Sequence, residues 1–478
     1  MNTFKQLLLL CASFCLSQGA ISPAIAAPEQ ANGTLSGDWG GARGLVSGEA
    51  ARLREARQAP PSGNGEVENN AGGGARSRMR ERGADLEIVL KADVLSNVSG
   101  GLRRGTRYLD NWDVKLKLEG EKLWGWQDSQ AFFHFISSHG AKFNATNVNS
   151  TLGVDNIEVA TNTSKIFQAW LQQNFFEHKL SLLLGLYPLD SEFYVTESSG
   201  VFLHPSFGMA AEVAQTGVNG PSIFPTSGVG VRALLRPHPA IYWQTAVVDG
   251  VPGNPNNPHG THIRFDRGDG ALVITEFGFR PGEAGHLGEQ SHPGKGVLMT
   301  DAEERHVEVS PIAKYAIGYW FYTAKFNDLM DTDVAGNPLR RANRGAYLLA
   351  EKTLFQESAD PAQGLAAFIR YGVASGDVNT IDRTLSFGLN YRGLLPGRDQ
   401  DTFGIAAELA RSGGKYRQFQ LAAGTPAYTH EKHLEITYRI QAKPWLAVQP
   451  SVQRIINPGF DPALANAWIV ATRFEVAF

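Results

Sequence analysis

Cysteine is almost absent from this chain of 478 residues: Cys11 and Cys15 are its two. Both fall in a stretch that reads as a secretory leader, so the mature chain would carry none. That excludes a disulfide framework, a thiolate metal centre and a cysteine nucleophile. Long apolar runs are lacking too. The longest, Leu7 to Leu16, covers about ten residues, whereas a membrane-spanning helix takes about 20. With Lys5 before it and Ala24-Ile25-Ala26-Ala27 after it, this run has the layout of a signal peptide over residues 1–27. Leu10, where a small residue would be needed before Cys11, argues against a lipoprotein. A one-signed charge excess is also missing. Lys and Arg number 44 against 47 Asp and Glu, for a net charge of −3. The chain therefore lacks the basic footprint of a nucleic-acid binder.

Catalytic and metal motifs are missing as well. There is no nucleophile elbow, no His–Glu zinc helix, no phosphate-cradling glycine loop and no calcium loop. Gly268-Asp269-Gly270 reads as a turn, and the 12 histidines are scattered without ligand spacing. His134, His178 and His204 are the histidines that an outer-membrane lipase would pair with a serine, but nothing in the sequence organises them. No enzyme activity, cofactor or metal is expected.

What the chain does have is alternation. Trp112, Val114, Leu116 and Leu118 alternate with Asp113, Lys115, Lys117 and Glu119. Leu385, Phe387, Leu389 and Tyr391 alternate with Thr384, Ser386, Gly388, Asn390 and Arg392. Phe403, Ile405, Ala407 and Leu409 alternate with Gly404, Ala406 and Glu408, and Leu434, Ile436, Tyr438 and Ile440 with His433, Glu435, Thr437, Arg439 and Gln441. Side chains of a strand point to opposite faces in turn, so each segment has one apolar and one polar face. The last ten residues repeat the pattern: Val470, Phe474, Val476 and Phe478 against Arg473 and Glu475. A chain end is held in strand form when both of its edges are paired, as closure of a barrel provides.

Weaker segments of the same kind run near residues 85–95, 130–138, 164–173, 179–187, 229–236, 241–249, 270–280, 311–323, 344–355, 364–374 and 445–456. Together they predict an all-β, antiparallel transmembrane barrel of about sixteen strands, an even number as bacterial barrels have. Pro237-His238-Pro239 and Lys443-Pro444 mark tight turns, while 190–228 and 250–268 are long connections. The 52 glycines and 48 aromatic residues (9 Trp, 13 Tyr, 26 Phe) suit turns and interfacial girdles. A mean hydropathy of −0.21 fits a barrel with a polar interior. Before the first strand, 28–83 reads as a periplasmic arm. It has a short helix over Ser47 to Arg57, a Pro/Gly-rich linker at 58–75 and a basic stretch at Arg76, Arg78, Arg80 and Arg82. That stretch is either a solvated segment or a partial plug. The barrel itself is expected over 84–478.

Several blocks resemble the carbohydrate-selective porins of the OprB type. They are Ser36-Gly37-Asp38-Trp39-Gly40-Gly41-Ala42-Arg43, Asn97-Val98-Ser99-Gly100-Gly101-Leu102-Arg103-Arg104-Gly105 and Lys122-Leu123-Trp124-Gly125-Trp126. Further along come Ser191-Glu192-Phe193-Tyr194-Val195, Asn219-Gly220-Pro221-Ser222-Ile223-Phe224-Pro225 and Ile317-Gly318-Tyr319-Trp320. Near the end are Tyr438-Arg439, Pro444-Trp445 and Gln449 through Gly459. The linker at 58–75 departs from the family pattern as an insertion. The resemblance implies an outer-membrane porin admitting small sugars such as glucose by diffusion, with a general porin or a plugged structural or adhesive barrel as alternatives.

A sugar offers a rim of hydroxyls and apolar C–H faces, so a selective constriction needs donors, acceptors and aromatic surfaces that bind weakly. Arginine supplies five fixed donors. The candidate pore-lining residues are Arg103, Arg104 and Glu192 in loop blocks, and Lys115, Lys117, Glu119, Arg232, Glu276, Arg370, Arg392, Glu435 and Arg439 on polar strand faces. Trp320 joins them as a candidate sugar platform, and Trp112 and Trp320 are alternatively interfacial anchors. Opposed basic and acidic walls would set a transverse field. Phe474, Val476 and Phe478 are expected to act as the signal to the barrel-assembly machinery. The expected surroundings are lipid bilayer and lipopolysaccharide, with no nucleic acid, and the resemblance favours a monomer over a trimer.

Overall fold

The computed structural model describes residues 73–140, 142–281 and 312–478. The leader, the helix expected at Ser47 to Arg57 and nearly all of the 58–75 insertion lie outside the described residues. Sixteen strands close into one antiparallel barrel in which β1 pairs with both β2 and β16. They are β1 (Ala84–Gly101), β2 (Gly105–Glu119), β3 (Ser129–His139), β4 (Thr163–Phe175), β5 (Leu180–Tyr187), β6 (Gly228–His238), β7 (Ile241–Asp249) and β8 (Ala271–Phe279). The second half comprises β9 (Ala313–Thr332), β10 (Pro338–Gln356), β11 (Gly364–Ala374), β12 (Ile381–Arg392), β13 (Thr402–Ser412), β14 (His430–Lys443), β15 (Leu446–Ile456) and β16 (Ala465–Ala477). Every segment of alternation read from the sequence is one of these strands.

The alternation sorts the side chains as expected. On β14, Leu434 and Ile436 are exposed on the outside while Glu431, His433 and Glu435 are buried on the inside. On β16, Trp468, Val470 and Phe474 face out and Ile469, Ala471 and Arg473 face in. The outer surface is a band of exposed apolar residues, including Leu184, Trp243, Ile317, Leu348, Ile369 and Phe387. Trp112 belongs to it and stacks on Phe478 at 5.7 Å.

Closure leaves two unlike ends. At the end holding Ala84 and Ala477, β6 and β7 are joined through Pro239-Ala240, and β14 and β15 through Pro444-Trp445. The connection 280–312 also lies here, with 282–311 outside the described residues. At the other end lie the connections 140–162, 188–227, 250–270 and 413–429.

Two elements go beyond the sequence reading. Residues Gly73–Glu81 form a helix, α1, where linker and basic segment were read. The Arg76 guanidinium donates to main-chain oxygens of Phe478 and Leu86, which ties α1 to the β1–β16 seam. The β9–β10 hairpin extends well past the expected 311–323 and 344–355. Its outer part carries Lys325, Asn327, Asp328, Arg340 and Arg341, polar on both faces, so it has no alternation to read.

The lumen as candidate functional site

The inner wall is built by every second residue of sixteen strands and mixes polar side chains with apolar clusters packed on the segments inside. Two of the long connections, 140–162 and 188–227, fold into it. An irregular chain has main-chain N–H and C=O groups that a sheet would have paired, and once buried each needs another partner. The wall supplies them. Glu276 on β8 accepts from the Tyr194 amide at 2.9 Å, and Glu351 on β10 from the Ser198 amide at 2.9 Å. Glu435 on β14 accepts from Leu203 and His204 at 2.9 and 3.0 Å, and Glu431 from Thr151 and Leu152 at 3.1 and 3.3 Å.

Wall donors take the carbonyls. Arg370 on β11 reaches Ser206, Phe207 and Gly208 at 2.5, 3.1 and 2.6 Å. Lys314 on β9 reaches Val195 at 2.7 Å, and Gln449 on β15 reaches Val201 at 2.5 Å. Arg473 on β16 clasps Asp93 of β1 and reaches Asn156 in the other segment at 2.7 Å. The segment 188–227 is thus fastened from β8 across to β15, and it narrows the lumen.

Glycines make room for this fastening. A Cβ at Gly278 would lie 2.0 Å from the Tyr242 ring, and one at Gly318 would lie 2.0 Å from the Tyr347 ring. Those two rings lie flat over the glycines and aim both hydroxyls at Glu276, each at 2.7 Å. Tyr347 also stacks on Tyr194 of the segment, 3.9 Å between centroids. Within the segments, burial holds the Glu158 carboxyl up at about 8, against main-chain N–H groups of Asn144 and Phe143 that pull it down. Burial also pushes His204 well below the usual imidazole range, helped by the His433 ring stacked on it.

The sequence candidates separate into three groups. Glu276, Glu435 and Arg370 are fully buried and hold the folded-in segment. Trp320 is fully buried as well, inside the apolar cluster between wall and segment, edge-on to Tyr322. It is neither at the lipid surface nor open to a solute. A second group pairs with charges that border the remaining space, Arg232 and Lys115 being themselves buried. Arg232 forks onto Glu192, with Nε–Oε2 2.7 Å and Nη2–Oε1 2.8 Å, while Glu192 stays 29% exposed. Lys115 meets Glu87 at 3.3 Å, Glu119 meets Lys122 at 2.8 Å, and Arg439 meets Glu475 at 3.4 Å. Lys117 and Arg392 sit half-buried on inner faces near the turn end. Arg103 and Arg104 form the third group. They are exposed in the tight β1–β2 connection, where Arg103 donates to the Thr146 carbonyl at 3.0 Å. The charges of Arg232, Lys115, Glu119 and Arg439 form local ion pairs, each with its opposite beside it.

Sequence reasoning missed an aromatic surface in this space. Phe132 and Trp170 are opposite each other on β3 and β4, half-buried on the inner face and stacked at 5.0 Å. Gln168 accepts from the Trp170 indole at 3.1 Å, and Gln172 accepts from Arg232 at 2.9 Å. Phe132 was hidden in the run Phe132-Phe133-His134-Phe135, which reads as apolar on both faces. Among the described residues no cluster of His, Cys, Asp and Glu is able to hold a metal ion.

A closed sixteen-strand barrel narrowed from within by two long connections is the architecture of a porin. The sequence profile described as carbohydrate-selective porin, OprB family, matches residues 103–478. The chain belongs to the OprB family of carbohydrate-selective porins. It is similar to Porin B of Pseudomonas aeruginosa, 23% identical over 438 residues, covering 85% of this chain and 90% of that protein. The high-pH structure of Pseudomonas putida OprB superposes with a TM-score of 0.70 at 20% identity, over 85% of this chain and 97% of that one. The low-pH structure of the same protein gives 0.52 at 16% identity, over 87% and 100%. These two share the fold. As an OprB-family barrel the protein resides in the outer membrane and passes carbohydrates. In such barrels the short turns face the periplasm and the long loops face outward, which sets the end with Ala84 and Ala477 inside the cell envelope.

Proposed function

We propose that this porin passes glucose and similar small neutral sugars as a monomer, and that the solute is read at the inner faces of β3 to β6. The observation that carries this reading is the Phe132–Trp170 stack beside the Glu192–Arg232 pair. Stacked rings offer the apolar surface for a pyranose C–H face, and the partly exposed Glu192 carboxylate and half-buried Gln172 amide offer an acceptor and a donor for its hydroxyls. The carboxylate is already engaged by Arg232, so a passing sugar competes for it and is held weakly, as conduction demands. Lys115, Lys117, Glu119, Arg392 and Arg439 would line the periplasmic approach, and Arg103 and Arg104 the outer mouth.

In the same reading, residues 1–27 are the leader, 28–83 a periplasmic arm, and Phe474, Val476 and Phe478 the segment recognised by the assembly machinery. The protein has no catalytic role. Conductance of the purified protein in planar bilayers, with and without glucose, tests the reading. Channels whose current falls as glucose rises support it. Open channels blind to glucose would leave a general porin, and a folded protein without channels would mean that the folded-in segments plug the barrel.

A further inference from the structure

The outer wall carries a cluster of basic residues that the sugar pathway does not use. At the external ends of β10 to β15, lipid-facing positions hold Arg344, Arg383, Arg411, His430, Lys432 and Arg454. Each shares strand parity with residues of the apolar band: Leu348 with Arg344, Phe387 with Arg383, Leu434 and Ile436 with Lys432, Val452 with Arg454. The register puts Arg383 opposite Arg411 and Arg411 opposite His430 on three adjacent strands. Arg454 is opposite Leu434 and Trp468. Its guanidinium lies 4.8 Å over the Trp468 ring, which holds it against the wall.

This arrangement opposes itself. Cations directly opposite one another on neighbouring strands repel. Arg411 is answered by Asp382 at 2.5 Å, but Arg344, Arg383 and Lys432 meet no acidic partner among the described residues. At the same end of β4, β6, β7 and β8 the outward positions are Ser164, Ile166, Val229, Val231, Val247, Ala271 and Val273. On the strand faces compared, the outward positive charge therefore lies on the β10–β15 side, in a protein whose net charge is −3.

We propose that this belt is a docking surface for lipopolysaccharide, binding the phosphates of its glucosamine headgroup. The position selects the occupant. The belt faces lipid rather than lumen and borders the outer edge of the apolar band, where the outer leaflet places its headgroups. Arginine matches phosphate oxygens in a fork, and lysine adds a point charge. Acyl chains of the same molecule then lie along Leu348, Ile369, Phe387 and Val452 below.

The test uses the folded, detergent-purified porin titrated with bisphosphorylated lipid A and with its dephosphorylated form, read by native mass spectrometry. The triple variant Arg383→Gln/Lys432→Gln/Arg454→Gln is compared with Lys325→Gln/Arg340→Gln on the protruding β9–β10 hairpin. The proposal expects wild type and hairpin variant to prefer the phosphorylated lipid, and the triple variant to bind it about tenfold more weakly. Glucose block and gel mobility should be unchanged. The single variant Lys432→Gln gives a smaller loss of the same sign should the triple fail to fold. Equal binding by the belt variants and wild type would overturn the proposal. So would indifference of the wild type to the phosphates, complete displacement by millimolar inorganic phosphate, or a changed oligomeric state in the variants.

Discussion

Arg232 and Glu192 form a two-pronged ion pair that joins the β6 wall to the folded-in segment, at 2.7 and 2.8 Å. Arg232 also donates to Ser181 and Gln172, and the Tyr187 hydroxyl donates to Glu192. The arginine is almost fully buried while the carboxylate keeps a face toward the lumen. Glu192→Gln should leave a buried guanidinium under-compensated. The reversal potential in a salt gradient should move toward anion selectivity, glucose block should weaken several-fold, and the midpoint of thermal unfolding should fall. An unchanged reversal potential would place Glu192 off the conduction path.

Arg370 should matter for the bore rather than for recognition. Its donors are spent on three carbonyls of the segment 188–227 and on Ser386. Arg370→Met removes them without opening a large void. Single-channel conductance should rise and become noisier, at a cost in stability of about 3 kcal/mol. A conductance equal to wild type would mean that the remaining wall contacts suffice.

Trp170→Ala should abolish most of the glucose block while leaving conductance in salt alone equal or slightly larger. Stacking surfaces of this kind contribute about 1 kcal/mol beyond their area. Current–concentration curves for glucose check it, and an unchanged block would remove the Phe132–Trp170 stack from the sugar path.

The Glu158 carboxyl titrates near 8 in the folded chain, raised by burial. A carboxyl with a raised folded value binds more protons folded than unfolded, so its stability contribution is present at low pH and lost as pH climbs from about 4.5 to about 8. Hydrogen exchange of residues 142–162 should therefore speed up between pH 6 and pH 9 beyond its intrinsic rate, and Glu158→Gln should flatten that dependence. The check is exchange at both pH values in both proteins.

Phe478→Ser removes the ring that stacks on Trp112 at the β1–β16 seam. Secretion should continue while the heat-modifiable folded form in outer-membrane fractions drops. A normal folded band would count against a role for this residue in assembly.

The strands were legible because lipid on one face and a polar interior on the other force strict alternation, as in Leu434-Glu435-Ile436. The site was less so. Alternation says that Glu276 and Arg370 point inward, but the same polar face serves a solute or a folded-in segment equally well. Which of the two applies depends on residues about 80 and 160 positions away, Tyr194 and Ser206. Gly278 and Gly318 carried no signal either, since their use lies in the tyrosines of neighbouring strands. Phe132 and Trp170 were hidden because an inward aromatic and an outward one look alike in sequence.

The clasp of Arg473 on Asp93 and Asn156 has a consequence for the order of assembly. Arg473 sits on the last strand, Asp93 on the first, and Asn156 in a connection threaded between them. The segment holding Asn156 has its full set of partners once β16 has met β1. One lumenal anchor is thus completed by the same pairing that removes the barrel's last free edge.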